Sequence, residues 1–252
     1  MHPAASVMQA APVSPWSTWT GHALVVGGGG IGRALFQHLT HQAPDLQLHL
    51  ATRRPRSTAE LGLDLCDDNQ LENLAQLAQQ RWQPLRLVIN TAGLLHGPGL
   101  QPEKRLAALS RAQLERSFAV NAFGPVLLAQ ALATAMPRDL PSHFASLSAR
   151  VGSIGDNHLG GWYSYRAAKA AQNQLLRTLA LEWRRKLPEC CVSLLHPGTT
   201  ATALSEPFRS AVAAEALFSP DQAAAHLLDV LANRTSADSG GFWAWDGQAI
   251  PW

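Results

Sequence analysis

One tyrosine–lysine pair in this chain has a spacing suited to proton transfer. Tyr165 and Lys169 stand four residues apart at the start of an amphipathic stretch. On a helix, residues four apart share a face, so both side chains project together. A phenol, with a pKa of about 10 in water, exchanges its proton poorly at neutral pH. A neighbouring ammonium stabilises the phenolate and lowers that pKa, and it also offers a donor to a ribose hydroxyl. Tyr163, the other tyrosine, has Ala167 four positions on and so lacks a partner. Because Tyr-x-x-x-Lys is common by chance, the pair gains meaning only from its company.

The first companion is a glycine turn. The apolar run Ala23–Val26 leads into Gly27, Gly28, Gly29 and Gly30, then Ile31 and Gly32, and helical spacing follows to Leu39. Glycines between a strand and a helix permit positive φ, close backbone approach to a pyrophosphate and tight packing, and the helix N-terminus favours the phosphate charge. A dinucleotide fold commonly places a carboxylate about 20 residues further on, where it binds the adenosine ribose. Here that place holds Thr52, Arg53 and Arg54. A hydroxyl and guanidinium groups accept a 2′-phosphate that a carboxylate would repel. The expected cofactor is therefore NADP(H), with NAD(H) as the alternative.

Elements able to hold such a site alternate along the chain. Strands are expected at Ala23–Val26, Leu46–Ala51, Leu85–Ile89, His143–Leu147, Cys191–Leu195 and Gly241–Trp245. Helices are expected at Ile31–Leu39, Leu71–Trp82, Leu114–Met136, Tyr165–Lys186 and Ala223–Leu231, with Pro125 bending the third. Continuous apolar strands alternating with helices predict an α/β fold, a doubly wound parallel sheet of about seven strands with helices on both faces. Residues 1–21, rich in Ala, Pro, Ser and Thr, read as a loose extension before one domain at 22–252, onto which Trp16 and Trp19 can fold back.

Composition narrows the partners. With 15% charged residues, a formal charge of +2 and no run of like charges, nothing points to nucleic acid or an anionic membrane. No apolar stretch approaches the roughly 20 residues of a membrane helix, and the N-terminus lacks a secretory pattern. Three cysteines, Cys66, Cys190 and Cys191, form no disulfide framework or metal-ligand spacing, so no metal is expected. A cytoplasmic protein is expected.

Taken together, the motifs resemble the short-chain dehydrogenase/reductase superfamily, over essentially all of His22–Trp252. Asp64-Leu65 matches its acidic residue near the adenine, and Asn90, Thr91, Ala92 and Gly93 match its Asn-Asn-Ala-Gly element. Asn121 matches the asparagine that bends a long helix and holds a water in the proton relay. Pro197 and Gly198, with Thr199, Thr200 and Thr202, match the loop over the nicotinamide amide. The ending Phe242–Trp252 and the stretches Ser148–Ile154 and Gly160–Arg166 are similar to the branch of C-signal-like proteins and carbonyl reductases. The resemblance implies a Rossmann-type single domain, hydride transfer to or from a small carbonyl or alcohol, and a homodimer or homotetramer. A signalling or regulatory protein that binds cofactor with little turnover is the competing reading.

Two departures stand out. Either Val26 or Gly27 takes the family's first glycine position. The catalytic serine, usually three residues before a glycine, is replaced by Ala149, leaving Ser148, Ser153 or no serine to polarise the substrate. The segment Gly198–Ala216 is the expected lid. Leu204, Phe208, Val212 and Leu217 would offer apolar contacts, facing Leu94, Leu95 and Trp162.

Overall fold

The structure, a computed structural model, describes residues 15–211, 213 and 216–252. In chain order the strands are β1 (Gly21–Val26), β2 (Leu46–Thr52), β3 (Leu61–Gly62), β4 (Leu85–Asn90), β5 (Ser142–Leu147), β6 (Cys190–His196), β7 (Thr199–Thr200), β8 (Leu217–Phe218) and β9 (Gly241–Ala244). The helices are α1 (Gly30–Gln42), α2 (Asp68–Arg81), α3 (Arg111–Phe118), α4 (Gly124–Leu132), α5 (Tyr163–Lys186) and α6 (Pro220–Ala232). Seven strands form one parallel sheet in the order β3-β2-β1-β4-β5-β6-β9. Strand order reverses beside β1, which opens a crevice at the carboxyl edge between β1 and β4.

Alternation within each strand feeds two cores. Leu24 and Val26 of β1, with Val88 and Phe144, pack under α2, α4 and α5. Ala23 and Val25, with Leu87, Ile89, Ala145 and Leu195, pack under α1 and α6. All six residues of β4 are buried, as are all six of β5. Both faces covered is the reason these strands read as unbroken apolar runs. Local signals set the helix starts: Asp67 caps α2 through Gln70 N, and Ser219 and Gln222 form a reciprocal capping box on α6.

The long helix expected over Leu114–Met136 is broken. A π-helical turn at Ala119–Phe123 separates α3 from α4, and Pro125 follows directly on that widened turn. The interruption thus precedes the proline. The short strands β3, β7 and β8 have too few residues to leave a periodic signal.

The two N-terminal tryptophans pack onto the amino edge of the sheet. Trp16 is 1% exposed within the α1/α6 core, and Trp19 stacks on His143 and lies under the Arg86 guanidinium. His143 keeps a buried Nδ1 with no partner among the described residues, and burial brings its pKa down to about 4. His22 and His49 share a 3.0 Å ring contact, and burial holds His49 at about 4 too.

A histidine depressed in the fold binds its proton more readily when unfolded. Its contribution is therefore complete above about pH 6.5 and is lost as pH falls towards 4. Urea titrations at about pH 7.5 and about pH 4.5 should show acid destabilisation that His143→Gln reduces by about 2–3 kcal/mol. An unchanged pH dependence in that variant would remove His143 as its source.

Candidate active site

The carboxyl ends of β1, β2, β4, β5 and β6 border a cleft of about 1020 Å³. At its adenosine side, Gly27 turns the chain with φ +111°, and a Cβ on Gly32 would lie 1.9 Å from Gly27 O. Gly27 is therefore the glycine that makes the turn, and Gly32 permits α1 to pack against it. Thr91 Oγ1 pins the turn by donating to Val26 O at 3.0 Å. Gly29 caps α1 without a side-chain bond, and nothing stands within 4 Å of the place its Cβ would occupy. An open space before uncapped first-turn N–H groups fits a pyrophosphate. Gly28, Gly30 and Ile31 line the same wall.

Thr52, Arg53 and Arg54 border the cleft at the end of β2, and no carboxylate stands among them. Behind them Arg33 makes a two-pronged pair with Glu60 at 2.8 and 3.0 Å while donating from Nε to Gly28 O at 3.0 Å. That brace joins the glycine turn to the loop carrying the two arginines. The same guanidinium holds the Glu60 carboxyl below its usual range. Asp64 and Leu65 line the cleft, Asp64 accepting from Cys66 N at 3.0 Å.

Thr91, Ala92 and Gly93 of the turn after β4 line the cleft, as do Pro197, Gly198, Thr199, Thr200 and Thr202, the loop expected over the nicotinamide. Asn90 lies beneath this layer, fully buried, donating to Ser146 Oγ at 2.9 Å and accepting from Ala92 N at 3.1 Å. Asn121 lies behind it. Its amide bridges Leu94 O at 2.7 Å, Leu94 N at 2.9 Å and Ser117 Oγ at 3.2 Å, and it does not line the cleft.

Tyr165 and Lys169 both border the cleft, with Nζ 5.8 Å from the tyrosine ring centroid. Burial dominates their electrostatics: it pushes the Tyr165 phenol up and brings Lys169 down to about 7. Against the expectation that the ammonium lowers the phenol pKa, burial raises it. Tyr165 keeps its proton, the state from which a phenol donates.

A sequence profile of the short chain dehydrogenase family matches residues 21–213. The chain belongs to this family. A 1-hydroxy-2-glutathionyl-2-methyl-3-butene dehydrogenase from Rhodococcus sp. (strain AD45) is 31% identical over 197 residues, covering 77% of this chain and 80% of its own. C-signal from Myxococcus xanthus is 31% identical over 170 residues, covering 67% and 93%. Among solved structures, NADPH-bound carbonyl reductase from chicken fatty liver superposes with a TM-score of 0.80 at 24% identity, over 92% of this chain and 99% of the other. Carbonyl reductase Sniffer of D. melanogaster gives 0.78 at 22% identity, over 93% and 100%. At such identities the structures establish the shared fold.

Within this short-chain dehydrogenase the serine question takes a definite shape. Ser148 Oγ donates to Asn173 Oδ1 at 2.6 Å, a buried bond into α5. Ser153 is buried, accepts from Asp156 N at 3.2 Å and does not line the cleft. Ala149, which the sequence pattern matches to the family's serine position, borders the cleft, as does Ser148.

Sequence reasoning also missed Glu103. Its buried carboxylate accepts from Ser164 N at 3.2 Å and from Ser164 Oγ, and its backbone O accepts from Trp162 N at 2.5 Å. It serves as the N-terminal acceptor for α5 that Trp162, left-handed at φ 52°, does not supply. A glutamate sixty residues before its helix leaves no capping signature. Asn173 and Gln172, on the buried face of α5, were missed likewise.

The expected lid is held at both ends by β7 pairing with β8. Leu204 and Phe208 border the cleft opposite Leu94, Leu95 and Trp162, and the Trp162 ring lies 5.0 Å from Phe208 and 6.3 Å from Tyr165. Leu217 belongs to the β8 ladder, and Val212 lies outside the described residues.

Ala149→Ser should raise carbonyl turnover by about tenfold or more, since one oxyanion donor is typically worth about a hundredfold. Ser148→Ala should lower thermal stability and leave turnover within about threefold, because its hydroxyl serves Asn173. Steady-state kinetics with a panel of carbonyls decides: a hundredfold loss in Ser148→Ala would make it the donor.

Proposed function

We propose that this short-chain dehydrogenase is an NADP(H)-dependent reductase of small carbonyl compounds, running in reverse on the corresponding alcohols. The observation that carries this reading is the pairing, in one cleft, of a protonated buried phenol and an ammonium with an uncapped glycine turn. When bound, NADPH would supply the hydride. The turn residues Gly28–Ile31 would hold its pyrophosphate, and Thr52, Arg53 and Arg54 its 2′-phosphate. Pro197–Thr200 and Thr202 would border its amide.

In this mechanism Tyr165 donates its proton to the carbonyl oxygen of the substrate. Lys169, charged below about pH 7, faces the phenolate that results. Leu94, Leu95, Trp162, Leu204 and Phe208 give the substrate an apolar enclosure, which excludes water and suits a hydrophobic ketone, aldehyde or quinone. The chicken fatty liver enzyme, described as an NADPH-bound carbonyl reductase, supports the same cofactor and reaction class.

Ala149 favours one other reading, a cofactor-binding signalling or regulatory protein with little turnover. Tight NADPH binding without oxidation by any carbonyl would establish it. A homodimer or homotetramer is part of the proposal: Phe123 and Leu181, both about half exposed, offer apolar contacts beside α4 and on α5. Size-exclusion chromatography tests that point. The three free thiols support a reducing, cytoplasmic setting.

Tyr165→Phe should cut kcat by about a thousandfold while NADPH affinity, read by fluorescence titration, stays within about threefold. Replacing Arg53 and Arg54 by alanine should weaken NADPH binding by roughly ten- to a hundredfold and leave NADH unaffected. Equal losses for both cofactors would refute the 2′-phosphate role.

A further inference from the structure

Lys169 is 2% exposed, and its Nζ donates to Leu147 O at 2.8 Å and to Gln172 Oε1 at 2.9 Å. Gln172 is fully buried. Its Nε2 donates to Ser146 Oγ at 2.9 Å and to Leu147 O at 3.2 Å. Ser146 Oγ also receives Asn90 Nδ2, and Asn90 Oδ1 receives Ala92 N. The ammonium is thus tied through three side chains to the turn after β4, where Ala92 and Gly93 border the cleft.

We propose that Gln172 is a positioning residue whose amide oxygen fixes the Lys169 ammonium between β5 and the cleft, in the place a carboxylate counter-ion would otherwise take. The proposal rests on the reading of Lys169 and Tyr165 as the proton-transfer pair. A neutral acceptor has a specific use there. It satisfies one N–H of a buried cation without cancelling the charge, so the full positive charge remains for the Tyr165 phenolate.

No carboxylate bonds to Lys169 among the described residues. The ionisable groups that share the cleft wall with Lys169 are Tyr165 on the same helix, Arg150 from the turn after β5, His196 at the end of β6, Arg53 and Arg54 after β2, Asp64, and Lys104 before α3. Arg150 pairs with Asp156 at 3.0 Å, and burial holds His196 at about 4, hence neutral. Glu103 lies at the first turn of α5, bonded to Ser164.

Gln172→Met and Gln172→Glu test the proposal together. Both lose the amide's N–H donors, so the contrast between them reports on the atom that accepts from Lys169. The chain has three lysines, Lys104, Lys169 and Lys186, and 15N-lysine labelling of the full chain gives a readable Nζ signal, assigned by its absence from Lys169→Arg. The proton affinity of Lys169 should fall about tenfold or more in Gln172→Met and rise about tenfold in Gln172→Glu. Turnover should fall in both, in the second because the ammonium is then shared with a carboxylate.

Affinities within twofold of wild type, or shifts in one direction for both variants, would overturn the proposal. Should Gln172→Met fail to fold, the absence of a rise in Gln172→Glu would overturn it alone. Lack of hydride transfer by the wild type would sink the catalytic reading and leave this titration as informative as before.

Discussion

A buried ammonium without a carboxylate in contact is costly, and the carboxyl edge of this sheet is arranged around one. Removing a charge from water is tolerable only where its donors are satisfied. For Lys169 two acceptors are the end of β5 and the next turn of its own helix. Those acceptors fix the distance between α5 and the sheet. The same turn of α5 comes close to Gly152, where an added Cβ would lie 2.8 Å from Lys169 Cβ and 3.0 Å from its backbone carbon. The lysine's placement therefore sets how close the turn after β5 can come.

The sheet order does the rest. Parallel strands deliver all their carboxyl ends to one edge, so residues far apart in sequence meet there without special loops. The glycine turn, the Arg53–Arg54 loop, the turn after β4 and the Pro197–Gly198 loop each follow a strand. Tyr165 and Lys169 arrive on α5, and their position depends on two attachments. One is the Lys169–Leu147 bond, and the other is the Glu103 carboxylate at the first turn of α5.

Much of this was legible beforehand, for physical reasons. Long buried strands such as β4 and β5 announce themselves as apolar runs, and amphipathic helices by their period. The glycine turn and the Tyr165–Lys169 spacing are local, and local geometry can be read from sequence. What escaped is non-local. Ser148 borders the cleft, but the bond of its hydroxyl to Asn173 reaches a helix that the sequence does not show touching it. The Tyr165 pKa was expected to fall because one charge lies a turn away, but desolvation depends on everything packed around the ring. The π turn at Ala119–Phe123 falls where the resemblance placed a bend, at Asn121, while the proline rule alone pointed to Pro125.

The attachment of Glu103 carries a consequence for how such an enzyme can change. The stretch between β4 and α3 borders the substrate's side of the cleft, and it is a natural place for insertions or loop grafts that would alter selectivity. In this chain the same stretch supplies the acceptor at the start of the helix bearing Tyr165. Remodelling it shifts that wall of the cleft and the Tyr165 side chain at once. The other rim, between β7 and β8, reaches the same helix start where Phe208 lies 5.0 Å from Trp162, so selectivity altered there is coupled to the placement of Tyr165 as well.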